Sequence, residues 1–132
     1  MDESQIRKHA ERFLGEWNSQ DPERVASVYT DDVIYVDPST RGAVEGGDAL
    51  RRYLKKLLAK WTMKWSLREA FPLEGKKGYA ALWRASLQYE GKGAVVEVNG
   101  MDLILMRGDL VERNEVYFDR SVLAPLMGIE TQ

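Results

Sequence analysis

Apolar positions Ile6, Ala10, Phe13, Leu14 and Trp17 recur at helical spacing, behind Asp2, Glu3 and Ser4 as acidic or capping residues. That pattern predicts an amphipathic helix over about 3–19. Asn18, Ser19 and Gln20 break it, and Asp21-Pro22 predicts the cap and first position of a short second helix with Val25, Val28 and Tyr29 inward. The period then falls to two. A strand over 32–37 places Val33, Tyr35 and Asp37 on one face and Ile34 and Val36 on the other. After a loop holding Gly42, Gly46 and Gly47, a third helix starts at Asp48 or its neighbour. Its apolar stripe is Leu50, Tyr53, Leu54, Leu57, Leu58 and Trp61, with most of the Arg51, Arg52, Lys55, Lys56 and Lys60 charges elsewhere, as a solvated face.

From Thr62 onward alternation covers 62–73, 78–90, 93–107 and 110–119, with glycine-bearing turns between the runs. Consecutive hairpins of this kind make an antiparallel meander. Helices followed by a run of strands predict an α+β domain in which the helices cover one face of a curved sheet. The segment 120–129 is too short and mixed to assign. At 132 residues the chain reads as one domain, 1–132, long enough to bury a core and still leave a pocket.

Composition narrows the partners. The net charge is −2, which gives no reason to expect nucleic acid or an anionic membrane. No apolar run approaches a membrane span, and the polar, acidic start lacks the pattern of a signal peptide, so a cytoplasmic location is the expectation. There is no cysteine, which excludes disulfides, thiolate catalysis and cysteine-ligated zinc. His9 is the single histidine and is expected at an exposed helical position. A metal site would need carboxylates alone, so none is expected.

Two carboxylates carry the chemical signal. Asp37 shares a strand face with Val33 and Tyr35, and Asp102 shares one with Val96, Val98, Gly100 and Ile104. On the preceding strand Ala81, Trp83, Ala85, Leu87 and Tyr89 form an apolar face that looks inward. Desolvation raises a carboxyl pKa, so one acid could act as base while the other stays protonated as a donor. The alternative is that both cap or bridge backbone groups near strand ends. On the last strand Val111, Arg113, Glu115, Tyr117 and Asp119 form one face and Leu110, Glu112, Asn114, Val116 and Phe118 the other; parity leaves open which is inward, and a bulge would reverse it. Trp61 and Trp65 are expected in dimer-facing or outer packing.

Five strings, in order, complete the picture: Trp17-Asn-Ser-Gln-Asp21, Tyr29-Thr-Asp-Asp-Val-Ile-Tyr-Val-Asp-Pro38, Glu45-Gly46 ahead of Leu50-Arg-Arg-Tyr53-Leu, Gly100-Met-Asp102-Leu-Ile, and Glu115-Val-Tyr-Phe-Asp119. Together they resemble the nuclear transport factor 2 (NTF2)-like superfamily, in its SnoaL-like polyketide cyclase and ketosteroid isomerase branch. The resemblance implies a cone-shaped domain with a curved, mixed, mostly antiparallel sheet and three N-terminal helices around a pocket, commonly a homodimer. It matches Asp37 to the isomerase's base and Asp102 to its protonated oxyanion-hole acid, while Phe13 stands where that enzyme has a tyrosine. It implies Phe13, Trp17, Tyr53, Trp83 and Leu87 as pocket lining, unless they fill a solid core. Tyr35 and Tyr117 either offer hydroxyls to a substrate or are ordinary strand aromatics, and Glu115 is a buried partner for Asp37 or Arg113 if its face is inward and a plain surface charge if it is not.

The function this implies is cofactor-independent proton transfer, isomerase or aldol-type cyclase, on a small hydrophobic carbonyl compound. A module that binds an apolar ligand or a protein partner without catalysis is the alternative. Epoxide hydrolysis ranks third, because the Asp-Arg-Asp arrangement it uses is not reproduced by Arg84-Ala-Ser86 or by Arg107-Gly-Asp109.

Overall fold

A computed structural model of the chain describes residues 1–127. Its elements run α1 (Glu3–Asn18), α2 (Pro22–Ala26), β1 (Tyr29–Val36), β2 (Val44–Glu45), α3 (Gly47–Lys60), β3 (Trp61–Pro72), β4 (Gly78–Tyr89), β5 (Val96–Arg107), β6 (Leu110–Tyr117) and a 3₁₀ segment, Arg120–Met127. The unassigned stretch 120–129 is thus helical through Met127, and its last two residues lie outside the described part. The six strands form one curved sheet in the order β2-β1-β6-β5-β4-β3. All neighbours are antiparallel except β1 and β6, which run parallel and make the sheet mixed. Helices gather on one face, giving the α+β architecture of the NTF2-like fold. Among the described residues no helix is long and apolar enough to cross a membrane.

The helices begin where local chemistry directs. Asp2 accepts from the Gln5 amide while Gln5 answers to the Asp2 amide, a reciprocal capping box. Asp21 caps α2 ahead of Pro22. Asn18 and Gln20, at and just beyond the end of α1, then bind the free edge of β3. The Asn18 amide spans the Trp65 backbone, at 2.9 Å to its carbonyl and 2.6 Å from its N–H, and Gln20 does the same for the Trp61 carbonyl and the Met63 N–H, at 3.0 and 2.8 Å. These side chains satisfy an edge that would otherwise offer unpaired backbone groups.

Three details differ from the sequence reading. Tyr29 opens β1 and does not belong to α2, and β2 lies within the expected loop, paired to β1 at Ile34 and Tyr35. The third concerns β6. Leu105 pairs with Arg113, but Met106 pairs with Val111, so Glu112 is one extra residue on the β6 side. This bulge lets Val111, Asn114 and Val116 all face inward and sends Arg113, Glu115 and Tyr117 outward.

Candidate functional site

A narrow cleft opens between the helices and the concave face of the sheet. Leu14 and Trp17 of α1, Tyr35 of β1 with Asp37 just past its end, Trp61, Met63 and Trp65 of β3, and Leu57 of α3 supply part of its wall. Leu87, Asp102, Asn114, Val116, Phe118 and Leu123 complete the far side, with Ser39 at the turn. The space open to the centre of a water-sized molecule is about 40 Å³. That is room for a few waters, so a larger ligand enters only if the aromatic walls part.

Asp37 is held by four donors. The Tyr35 and Tyr53 hydroxyls donate to Oδ2 at 2.8 and 2.5 Å, and the Ser39 and Thr40 amides donate to Oδ1 at 2.7 and 3.0 Å. The local reason is the Asp37-Pro38 turn: a carboxylate at a turn start reaches the amides two and three residues on. A carboxylate has about four lone-pair sites, so its acceptor capacity is filled. Burial, then the charge of Asp37, pushes both phenols well above the ordinary tyrosine value. They remain protonated donors.

Asp102 is built in the opposite way. It sits on β5 across from Ala81 and Val116, 5% exposed, and its Oδ1 has no hydrogen-bond partner. Burial raises its carboxyl to about 7, with the charge of Asp37 adding to the shift, while Trp83 and Asn114 beside it pull the other way. The Trp83 N–H and the Asn114 amide are the donors within reach of the carboxyl, although neither the Trp83 N–H nor Oδ1 has a partner of full hydrogen-bond geometry. Asn114 is itself fixed by a buried chain: Trp17 Nε1 donates to the Tyr29 hydroxyl at 3.2 Å, which donates to Asn114 Oδ1 at 2.8 Å. Two aspartates therefore face one apolar cleft, one saturated with donors and one nearly bare.

The expected site residues divide three ways. Asp37, Asp102, Trp17, Tyr35 and Leu87 line the cleft, and Tyr53 joins it through Asp37. Trp83 and Phe13 lie one layer behind: Trp83 packs edge-on against Trp65 at 4.6 Å, and Phe13 meets His9 and Tyr29 at 6.3 and 5.8 Å. Glu115 and Tyr117 are on the outer face, hydrogen-bonded to one another, with Arg113 paired to Glu115, because the Glu112 bulge turns them there.

Other expectations are corrected outright. His9 is buried, not exposed: its Nδ1 lies 2.6 Å from the Tyr79 hydroxyl, and burial, with the nearby Arg12 charge, lowers its pKa. Trp61 and Trp65 line the cleft instead of packing outside the sheet, since β3 turns positions 61, 63 and 65 inward. Asn114 and Tyr29 were missed. The available signal for Asn114 was its place between Glu112 and Val116 on the β6 face that parity left open.

The comparisons agree on the scaffold. A family model described as SnoaL-like domain matches residues 10–114. A crystal structure of a provisionally assigned isomerase from Bacillus subtilis superposes with a TM-score of 0.86 at 13% identity, covering 98% of each chain. A provisionally assigned SnoaL-like polyketide cyclase from Jannaschia gives 0.78 at 17%, covering 98% of this chain and 95% of the other. The epoxide hydrolase/cyclase-like enzyme SalBIII, studied for pyran ring formation in the polyether salinomycin, gives 0.78 at 15%, covering 91% and 95%. At these identities the likeness is one of fold. No curated protein matches the chain by sequence.

Proposed function

Starting from the fact that this chain belongs to the SnoaL-like domain family, we propose that it is a cofactor-independent enzyme of proton-transfer chemistry on a hydrophobic carbonyl compound. The observation that carries the reading is the unequal pair of aspartates on the walls of one apolar cleft. Asp37 is the base and Asp102 the acid. A C–H proton alpha to the carbonyl passes to Asp37 Oδ2, the bonding electrons move into the carbonyl, and the Asp102 carboxyl donates to the developing enolate oxygen. Returning the proton at another carbon makes an isomerisation. Attack of the enolate carbon on a second carbonyl of the same molecule, with the first carbonyl re-forming and the proton on Asp37 passing to the new alkoxide, makes an aldol-type ring closure.

Tyr35 and Tyr53 keep Asp37 oriented, and one of them must yield its place on Oδ2 as the proton arrives, since all four lone-pair sites are occupied. Phenols can rotate about their C–O bond, whereas the two amides on Oδ1 cannot leave. Asp37→Asn is expected to lower turnover of a β,γ-unsaturated ketone or a linear poly-β-ketone by about 10²–10⁴ with the fold intact. Turnover near the wild-type rate would remove Asp37 from the mechanism.

The same four donors favour a second reading, in which Asp37 is a structural clamp and the cleft binds an apolar ligand without turnover. Asp37→Asn then changes ligand affinity and no rate. Epoxide opening has less support: among the described residues no arginine lines the cleft, Arg84 pairs with Glu97 and Arg107 with Asp32, all exposed.

A further inference from the structure

A second hollow opens at the other end of α1, away from the cleft. Gln5, Lys8, His9 and Arg12 follow the i, i+3, i+4, i+7 spacing of one helix face, which stands over Lys77 and Asp109 in the turns ahead of β4 and β6. Among the described residues none lines both this hollow and the cleft. It offers about 460 Å³ to the centre of a water-sized molecule, against about 40 Å³ in the cleft, so a solute enters without any wall parting.

Three cations line the hollow against one carboxylate. Among the described residues none of Lys8, Arg12 and Lys77 forms an ion pair, although Arg7 beside them on the helix pairs with Glu11. A concave surface lined by one sign of charge concentrates the opposite ion. Lys77 is also fixed in place. Its ammonium donates to the Gly108 carbonyl at 2.8 Å, and its own carbonyl accepts from the Met106 amide at 2.9 Å, which ties the two turns together. An ammonium has three N–H donors, so two remain for a ligand.

The floor of the hollow is His9, 8% exposed. The buried Tyr79 phenol keeps its proton and has no other acceptor among the described residues, so it donates to Nδ1 and leaves the ring proton on Nε2. The Asp109 backbone lies near the ring, but among the described residues Nε2 makes no hydrogen bond of full geometry. Nor is Nε2 one of the polar atoms sealed from solvent, so it faces the hollow. A donor nitrogen beneath three cations suits an anion with several acceptor oxygens. A phosphoryl dianion offers three such oxygens, and its two charges match the excess of two positive charges on the lining. A carboxylate brings half that charge.

We propose that Lys8, Arg12 and Lys77, with His9 Nε2–H beneath them, bind a phosphoryl dianion, either inorganic phosphate or the head of a small phosphomonoester, at a site separate from the cleft and its chemistry. His9 is the single histidine, so its Cε1–H gives one proton NMR line that reports on the hollow directly. Inorganic phosphate and phenyl phosphate are titrated in turn at pH 7.5 and low ionic strength, with sodium chloride at matched ionic strength as control, since salt screens exposed charges. The line should move along a saturable curve with a Kd of about 1 mM or tighter, as several charge-assisted contacts allow, and chloride should leave it in place. Tighter binding of phenyl phosphate assigns the monoester, and equal or weaker binding assigns the free ion. Arg12→Gln, at an exposed position, should weaken binding about tenfold, while Arg7→Gln leaves it unchanged. No saturation with either phosphate, the same movement in chloride, or equal binding by the Arg12→Gln and Arg7→Gln chains overturns the proposal. The first two outcomes are read from the wild-type protein alone.

Discussion

Asp37 and Asp102 show how far environment outweighs residue type. Asp102 at about 7, against an ordinary 3.8, is protonated in the folded chain over a range where the unfolded chain is ionised. The folded state then binds the extra proton between about pH 4 and pH 7, so stability contributed here is full at low pH and is lost as pH rises through the folded value. Three pKa units correspond to about 4 kcal/mol as a ceiling. Asp102→Asn, neutral at every pH, should therefore raise the melting temperature at pH 8 and leave it unchanged near pH 3. No gain at pH 8 would mean that the carboxyl is not held in so dry a place. In the proposed reaction the same proton is the donor, so turnover should fall as pH rises through about 7. The presence of an acid on an apolar strand face was legible from the period-two pattern. Which acid is saturated and which is bare was not, because the Tyr53 hydroxyl comes from α3 and the space beside Asp102 from Ala81 on another strand.

At the scale of elements, one residue and one amide decide the site. The Glu112 bulge lets β6 present Asn114 and Val116 to the cleft, and strict alternation from Val111 would have presented Arg113 and Glu115 instead. A bulge leaves no mark in a single strand's hydrophobic pattern, since it is a property of the pairing with β5. The Asn18 side chain joins α1 to the edge of β3 by two hydrogen bonds. Asn18→Ala should cost about 1–3 kcal/mol and speed hydrogen exchange at the Trp65 amide. Unchanged exchange at that amide would show that the bond does not protect the edge. Helix starts were readable because their signals are local: Asp2 with Gln5, and Asp21 with Pro22, complete their caps within a few residues.

For the molecule as a whole, the buried His9 is a second source of pH dependence. Its lowered pKa means that the unfolded chain takes up a proton near the ordinary value of 6.5 which the folded chain resists, so its contribution is lost as pH falls. Groups around it are mixed, with Arg12 and Lys77 opposing the charge and Asp109 favouring it. His9→Phe should flatten the acid limb of the stability curve, and an unchanged limb would assign it to other groups. Association belongs to this scale too. On the outer sheet face Met101 pairs with Tyr117, and both are exposed. A homodimer through a face of this kind predicts a sedimentation mass near twice 15.1 kDa, lowered by Tyr117→Glu, whereas a monomer at micromolar concentration would dismiss it.

The amino-acid sequence by itself determined the helices, the four-strand meander, the inward faces of β4 and β5, and the two aspartates as the place to look for chemistry. These follow from periodicity and capping, which act over a few residues. The tertiary structure decided the rest: the parallel seating of β1 against β6, the inward turn of Trp61 and Trp65, the burial of His9 under Tyr79, and the donors around each carboxyl. Each of those depends on which distant strand or helix lies opposite, and hydrogen bonding and desolvation are set by neighbours in space.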